Sequence, residues 1–183
     1  MMTDAELTWK KVSEEAYLAR GGFRRLMTRN FLLPNGKEVV MDITNTQTVV
    51  QVIAFTDDEH LLIVDQYRPG PEAIMSDIPG GYVEDSEDVA VAAERELLEE
   101  TGYVPSQIKL IGETRPDGYS TLRKYTFLAT GCKKVSEQSL DDNEFLRVRE
   151  ISLTDYVAIA AQAQTSSSVD GLFHYFHYIG KIL

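Results

Sequence analysis

The sequence predicts an α+β fold: an N-terminal antiparallel β sub-domain over residues 1–45, then a layered domain over residues 46–183 with mixed sheets and flanking helices. Three observations carry that expectation. Short β-branched and apolar runs separated by turn residues fill the chain as far as Tyr67; one segment rich in Ala, Leu, Glu and Arg follows; further strands and two more helical segments close the chain. Strands, a helix, strands and then helices describe a layered domain. With 183 residues and 43% apolar side chains, the chain is long enough to bury a core.

Taken in order, Trp9–Leu18 reads as a short strand with Lys and Glu interspersed. Arg24–Leu33 and Lys37–Ile43 flank Pro34-Asn35-Gly36, where Asn-Gly supplies the positive φ angles of a tight hairpin. Thr44-Asn45-Thr46 interrupts the pattern and marks the sub-domain boundary. Val49–Phe55 and Leu61–Tyr67 form a second hairpin across Thr56-Asp57-Asp58-Glu59-His60. Pro69-Gly70-Pro71 and Pro79-Gly80-Gly81 punctuate the loop that follows. Ser86–Thr101 is helical, capped at its start by Asp85 or Ser86 and ended by Gly102. Strands follow at Lys109–Thr114, Lys124–Ala129 and Phe145–Glu150, then helices over Leu153–Ala163 and Ser168–Ile179, separated by Gln164-Thr165-Ser166-Ser167.

Composition narrows compartment and partners. The longest apolar run, Tyr156–Ala161, falls far short of the roughly 18 residues of a membrane span. Acids stand in Met1–Glu6 where a signal peptide has a basic region, and the single Cys132 excludes an internal disulfide and a multi-cysteine zinc site. A cytoplasmic protein without a membrane partner is expected. Lys+Arg 18 against Asp+Glu 29 gives a net charge of −11, whereas nucleic-acid backbones select basic faces. Arg20, Arg24, Arg25 and Arg29 read as a solvated or inter-subunit patch, and no nucleic-acid partner is expected. The acidic excess is concentrated: Glu84, Asp85, Glu87, Asp88, Glu94, Glu96, Glu99 and Glu100 face a single base, Arg95.

On a helix at 100° per residue, with Glu96 at 0°, Glu99 falls at about −60° and Glu100 at about +40°. Val89 and Ala92 lie on that face and neutralise nothing; Ala90, Ala93 and Leu97 form a second face, Val91 and Leu98 a third. Apolar residues on two sides suggest a helix packed between layers, with its carboxylate stripe held in place. Like charges at such spacing raise one another's pKa unless a cation sits among them, and hard oxygen donors suit Mg²⁺ or Mn²⁺. Arg95, one turn from Glu99, is placed to orient it.

The flanks of that helix decide between a solubilising face and a site. Gly81, five residues, Glu87, seven residues, then Arg95-Glu96-Leu97-Leu98-Glu99-Glu100-Thr101-Gly102-Tyr103 resembles the signature of the Nudix hydrolases at all seven fixed positions, with Tyr103 in a slot that is usually aliphatic. The resemblance implies a loop–helix–loop in an α/β/α sandwich and cleavage of a nucleoside diphosphate linked to another group. It implies Glu96 and Glu100 as principal Mg²⁺ ligands, with Glu99 beside them and the Gly80 carbonyl contributing. It gives Glu87 and Arg95 a supporting ion pair, and Gly81 and Gly102 turns that a Cβ resists. An acidic site binds an anionic diphosphate only through cations, which invert the local field. Asp141-Asp142-Asn143-Glu144-Phe145-Leu146-Arg147-Val148 resembles the late loop that carries the base in the pyrophosphatase branch, so Glu144 is the candidate base or further metal ligand and Glu137 the fallback.

The rest of the chain resembles the ADP-ribose and nucleoside-diphosphate-sugar pyrophosphatases. Leu33-Pro34-Asn35-Gly36-Lys37-Glu38 looks like their N-terminal hairpin, which implies a homodimer and part of the nucleotide pocket. Asp65-Gln66-Tyr67-Arg68-Pro69 looks like their post-strand segment, placing Tyr67 and Arg68 at substrate, Arg68 on phosphate as a forked cation. Asp77-Ile78-Pro79-Gly80-Gly81 stands where the branch often has Glu-Leu-Pro-Ala-Gly. Where ADP-ribose enzymes commonly place a proline this chain has Gly118, with Pro116 two earlier and Tyr119 following, so a GDP- or ADP-hexose stands beside ADP-ribose as the expected nucleotide sugar. Dinucleoside polyphosphates or nucleoside triphosphates, and a non-catalytic sensor on the same scaffold, are the alternatives; the N-terminal extension argues against the first and the complete box against the second. His174, His177 and Trp9 read as packing or interface residues.

Overall fold

The computed structural model describes residues 10–12, 16–21, 24–142, 144–165 and 168–181, with side chains from 10–12 and from 25 onward within those ranges. Trp9 lies outside them, and of the expected strand Trp9–Leu18 only parts are described. The chain divides into two compact units, Met1–Gln47 with Arg115–Arg123, and Thr48–Thr114 with Lys124–Leu183.

The first unit is an antiparallel sheet. Its strands are β1 (Lys10–Lys11), β2 (Ala16–Gly21), β3 (Arg24–Leu32) and β4 (Glu38–Asn45). Strand β3 pairs with β4 along one edge and with β1 and β2 along the other. A hairpin joins β3 to β4 where the sequence predicts one, but without paired positive φ angles: in the turn only Gly36 has one (φ 78°), its N–H donates to Leu33 O so that Pro34 and Asn35 are the central residues, and Lys37 N–H donates to Asn35 Oδ1 at 3.0 Å. The segment 115–123 joins this sheet from far along the chain, Thr44 N–H donating to Tyr119 O and Thr121 N–H to Thr44 O, each at 2.9 Å.

The second unit contains β5 (Val49–Thr56), β6 (Leu61–Arg68), β7 (Ala73–Asp77), α1 (Val89–Thr101), β8 (Tyr103–Val104), β9 (Gln107–Thr114), β10 (Lys124–Lys134), β11 (Leu146–Ile151), α2 (Leu153–Ala161) and α3 (Val169–Tyr178). Strand β10 lies parallel to β5 and antiparallel to β9, while β6 lies antiparallel to β7 and β11. Side chains alternate along a strand, so each face of this mixed sheet collects its own core. Val50, Val52, Leu62 and Phe127 meet Ala92, Ala93 and Leu97 of α1 on one side; Ile53, Leu61 and Ile63 meet Tyr156 of α2 and Leu172 of α3 on the other. Burial on both faces is why β5 is apolar apart from Gln51 and Thr56, and why β6 opens on the apolar run Leu61–Val64. The result is an α/β/α arrangement.

Four differences from the sequence reading have physical causes. Strand β7 sits in what reads as a loop; its pairing with β6, not its own pattern, makes it a strand. Strand β10 runs past Ala129 to Lys134, where two-residue β8 pairs with it. Helix α1 begins at Val89 with Asp88 as its cap, the carboxylate accepting from Ala90 N–H at 2.8 Å, because Ser86 has φ 69° and belongs to the preceding turn. Its third face is not packed: Val91 is 57% and Leu98 36% exposed, so α1 buries one face only. His174 shares a 2.7 Å hydrogen bond with Thr114, and the exposed His177 ring stacks on Phe173.

Candidate active site

The loop that precedes α1 is fastened to β5. Val50 N–H donates to Gly81 O, Val52 N–H to Pro79 O and Val83 N–H to Thr48 O, at 2.8–3.0 Å. This run of backbone bonds brings Gly80 and Gly81 alongside the carboxylate stripe. Gly80 N–H donates to Glu100 Oε2 at 2.8 Å. A Cβ on Gly81 would lie 2.4 Å from Glu96 Oε1, so the position admits no larger residue while Glu96 stays where it is. At the other end, Gly102 ends α1 with φ 77° and donates its N–H to Leu98 O. The following loop then wraps the helix end, with Ser139 N–H on Glu99 O at 2.9 Å and Gln138 Nε2 on Glu100 O at 2.6 Å. Sequence reasoning missed both contacts, since a backbone carbonyl as partner leaves no signature in residue type.

Arg95 organises the carboxylates. Its Nε and Nη2 donate to the two oxygens of Glu87 at 2.9 and 3.0 Å, Nη2 also to Tyr82 O at 2.9 Å, and Nη1 to Glu96 Oε1 at 2.9 Å and Glu99 Oε2 at 3.0 Å. The fork holds the Glu87 carboxyl down at about 2, helped by the Glu84 N–H. Glu96 and Glu100 go the other way. Burial pushes Glu96 up to about 7 against the pull of Arg95, with Glu99 and Glu144 adding repulsion. Burial likewise pushes Glu100 up to about 8 against the Gly80 N–H, with Glu96 and Glu144 repelling it and Arg68 attracting it.

The structure therefore brings Glu96, Glu99, Glu100, Glu144 and Arg68 into one electrostatic neighbourhood. Glu144 stands on the loop before β11, where its own N–H donates to Asp141 O and its Oε2 accepts from Asp141 N–H at 3.3 Å. Arg68, at the end of β6, donates to Asp77 Oδ2 at 3.3 Å. Tyr67, beside Arg68 on β6 and opposite Ile74 of β7, is 54% exposed. Glu137 pairs with Lys134 on the surface instead of joining the stripe. Asp77, the partner of Arg68, was given no part by sequence reasoning, because its strand forms by pairing with β6 and carries no pattern of its own.

Among the described residues, no three His, Cys, Asp or Glu side chains are already arranged around one ion position. Glu96 and Glu99 each turn an oxygen to Arg95, and Glu144 to its own loop. The donor set nevertheless fits a hard divalent cation: burial pushes the Glu96 and Glu100 carboxyls up to about 7 and 8, and a cation among them would favour their ionised forms.

A family model described as NUDIX domain matches residues 45–170. The chain is 32% identical over 148 residues, 80% of each chain, to the methanol dehydrogenase activator of Bacillus methanolicus. It is 34% identical over 125 residues, 67% of this chain and 68% of the other, to the ADP-ribose pyrophosphatase of Bacillus subtilis (strain 168). A crystal structure of an ADP compounds hydrolase superimposes with a TM-score of 0.78 over 94% of this chain and 97% of that one, at 20% identity, which establishes a shared fold.

Proposed function

Because this chain belongs to the Nudix family of hydrolases acting on phosphoanhydrides, we propose that it splits the diphosphate of a nucleoside diphosphate sugar, ADP-ribose or a GDP- or ADP-hexose, into a nucleoside monophosphate and a sugar phosphate. The observation that carries this reading is the pair of buried carboxylates Glu96 and Glu100, pushed up to about 7 and 8 beside Arg68 and Glu144. Glu96 and Glu100, with Glu99 and the Gly80 carbonyl, would hold Mg²⁺ or Mn²⁺. When bound, the cation polarises phosphoryl oxygens and acidifies water. Arg95 keeps Glu96 and Glu99 aimed, and Glu87 ties Arg95 to the loop. Arg68 contributes a forked cation to the diphosphate. Glu144 takes a proton of the attacking water as the water oxygen bonds to one phosphorus; the bridging P–O bond to that phosphorus breaks and the bridging oxygen leaves with the other phosphate.

Glu144→Gln is expected to lower kcat by about 10²-fold with KM little changed, the usual weight of a general base; steady-state kinetics with product identification check it, and an unchanged kcat removes Glu144 from the chemistry. The substrate reading is tested by incubating the protein and Mg²⁺ with ADP-ribose, GDP-mannose, ADP-glucose, UDP-glucose, dinucleoside polyphosphates and nucleoside triphosphates. Cleavage confined to the last two classes overturns it.

The proposal extends to a cytoplasmic homodimer built on the N-terminal sheet. Leu26 and Val40, on one face of β3 and β4, are 39% and 63% exposed, and the lone Cys132 is a buried thiol. Sedimentation velocity should give twice the chain mass of 20.6 kDa; a monomer at micromolar concentration overturns that part.

A further inference from the structure

We propose that Asp77 is a positioning residue that holds the Arg68 guanidinium ready for the substrate's diphosphate. The inference rests on the reading of Arg68 as a phosphate ligand. Asp77 ends β7 with its side chain 4% exposed, and its two oxygens are divided between two tasks. Oδ1 accepts from Thr165 Oγ1 at 2.6 Å and Ser168 Oγ at 3.1 Å; Oδ2 faces Arg68 Nη2 at 3.3 Å. The segment joining α2 to α3 is itself fastened to β7, Ser76 N–H donating to Gln164 O at 2.8 Å and Ile78 N–H to Ser168 Oγ at 3.3 Å. The carboxylate is thus fixed by hydroxyls that orient it without neutralising it.

A buried carboxylate is costly to ionise unless a cation faces it. The facing cation is Arg68, whose side chain is 37% exposed and whose Nε is buried with no hydrogen-bond partner among the described residues. Nη2 is engaged by Asp77, and the exposed part of the guanidinium is left for an anion. Arg68 also feels Glu100, whose carboxyl it draws downward against burial. Without the opposing charge of Asp77, the flexible guanidinium would be pulled onto the acidic stripe and away from an incoming diphosphate. Asp77 competes for it and keeps it in place.

Asp77→Asn tests this: its amide oxygen can still accept from Thr165 and Ser168 but offers Arg68 no charge. KM for ADP-ribose should rise about tenfold with kcat within about threefold, and calorimetry with an α,β-methylene analogue and Mg²⁺ should show affinity about tenfold lower. Asp77→Glu should restore part of the affinity. Arg68→Ala should give the same rise, and adding Asp77→Asn to it should change nothing further. Should Asp77→Asn fail to fold by circular dichroism, Thr165→Val, which loosens one tether of the carboxylate, should raise KM about two- to threefold. If Arg68→Ala leaves KM and analogue affinity unchanged, the phosphate-ligand reading fails and takes this one with it. If Arg68→Ala weakens binding while the Asp77 or Thr165 variant binds like the wild type, or if the double variant is additive, the positioning role alone is overturned.

Discussion

Replacing Glu100 with Gln is expected to cut kcat at least about 10²-fold while leaving the fold standing. The Gly80 N–H that donates to Glu100 Oε2 at 2.8 Å can donate equally to a glutamine oxygen, so the loop remains attached to the helix. What disappears is a negative charge that the protein itself disfavours. Burial raises this carboxyl from 4.5 to about 8 in the folded state. The sign follows: a folded pKa above the unfolded one means folding favours the protonated form, so the stabilisation is complete below about pH 4.5 and is lost as pH rises through about 8. Glu96, raised to about 7, acts in the same direction. In metal-free buffer near pH 8.5, the glutamine variant escapes that loss and should unfold at the wild-type temperature or above it. Turnover and thermal midpoint are therefore predicted to move oppositely. Wild-type turnover would take Glu100 out of the metal-binding set, and a lower midpoint at that pH would show that its burial does not penalise the charge.

The box was legible because its chemistry is local. Spacing along one helix places Glu96, Glu99 and Glu100 on an arc, and the i,i+4 spacing sets Arg95 within reach of Glu99, as the 3.0 Å contact shows; its 2.9 Å contact with the adjacent Glu96 does not follow from that spacing. The hairpin across Pro34-Asn35-Gly36 was legible for the same reason, since a tight turn depends on the residues within it. Long-range partners were not. Strand β7 exists because β6 pairs with it, and the joining of segment 115–123 to β4 depends on backbone bonds that any residue could make. The division of Asp77 between Arg68 and two hydroxyls far along the chain needs three separate segments to meet. Helix α1 shows the converse error: Val91 and Leu98 are apolar yet outward-facing, and periodicity cannot tell an apolar face that packs from one that does not.

Arg95→Ala is expected to lower stability and turnover together, whereas Glu87→Gln should lower stability alone. The guanidinium serves two groups: Nε and Nη2 hold Glu87 and the Tyr82 carbonyl, and Nη1 holds Glu96 and Glu99. Breaking a buried pair costs about 3–5 kcal/mol; the Arg95 side chain is a quarter exposed, and screening brings the expected loss to about 2–3 kcal/mol, roughly 5–10 °C in a domain of this size. Turnover should fall at least about tenfold, because Glu96 and Glu99 lose the group that fixes their aim. Lysine supplies charge but no fork, so Arg95→Lys should lie between alanine and wild type. Glu87 provides the internal control. Its folded pKa of about 2 lies below the ordinary 4.5, so its contribution is present above about pH 4.5 and vanishes as pH falls through about 2. The midpoint gap between wild type and Glu87→Gln should be steady at neutral pH and close across that acid window. Wild-type turnover in Arg95→Ala would mean that the stripe keeps its geometry without the fork. Equal losses of turnover in Arg95→Ala and Glu87→Gln would mean that Arg95 acts by holding the loop, and that its contacts with Glu96 and Glu99 are incidental.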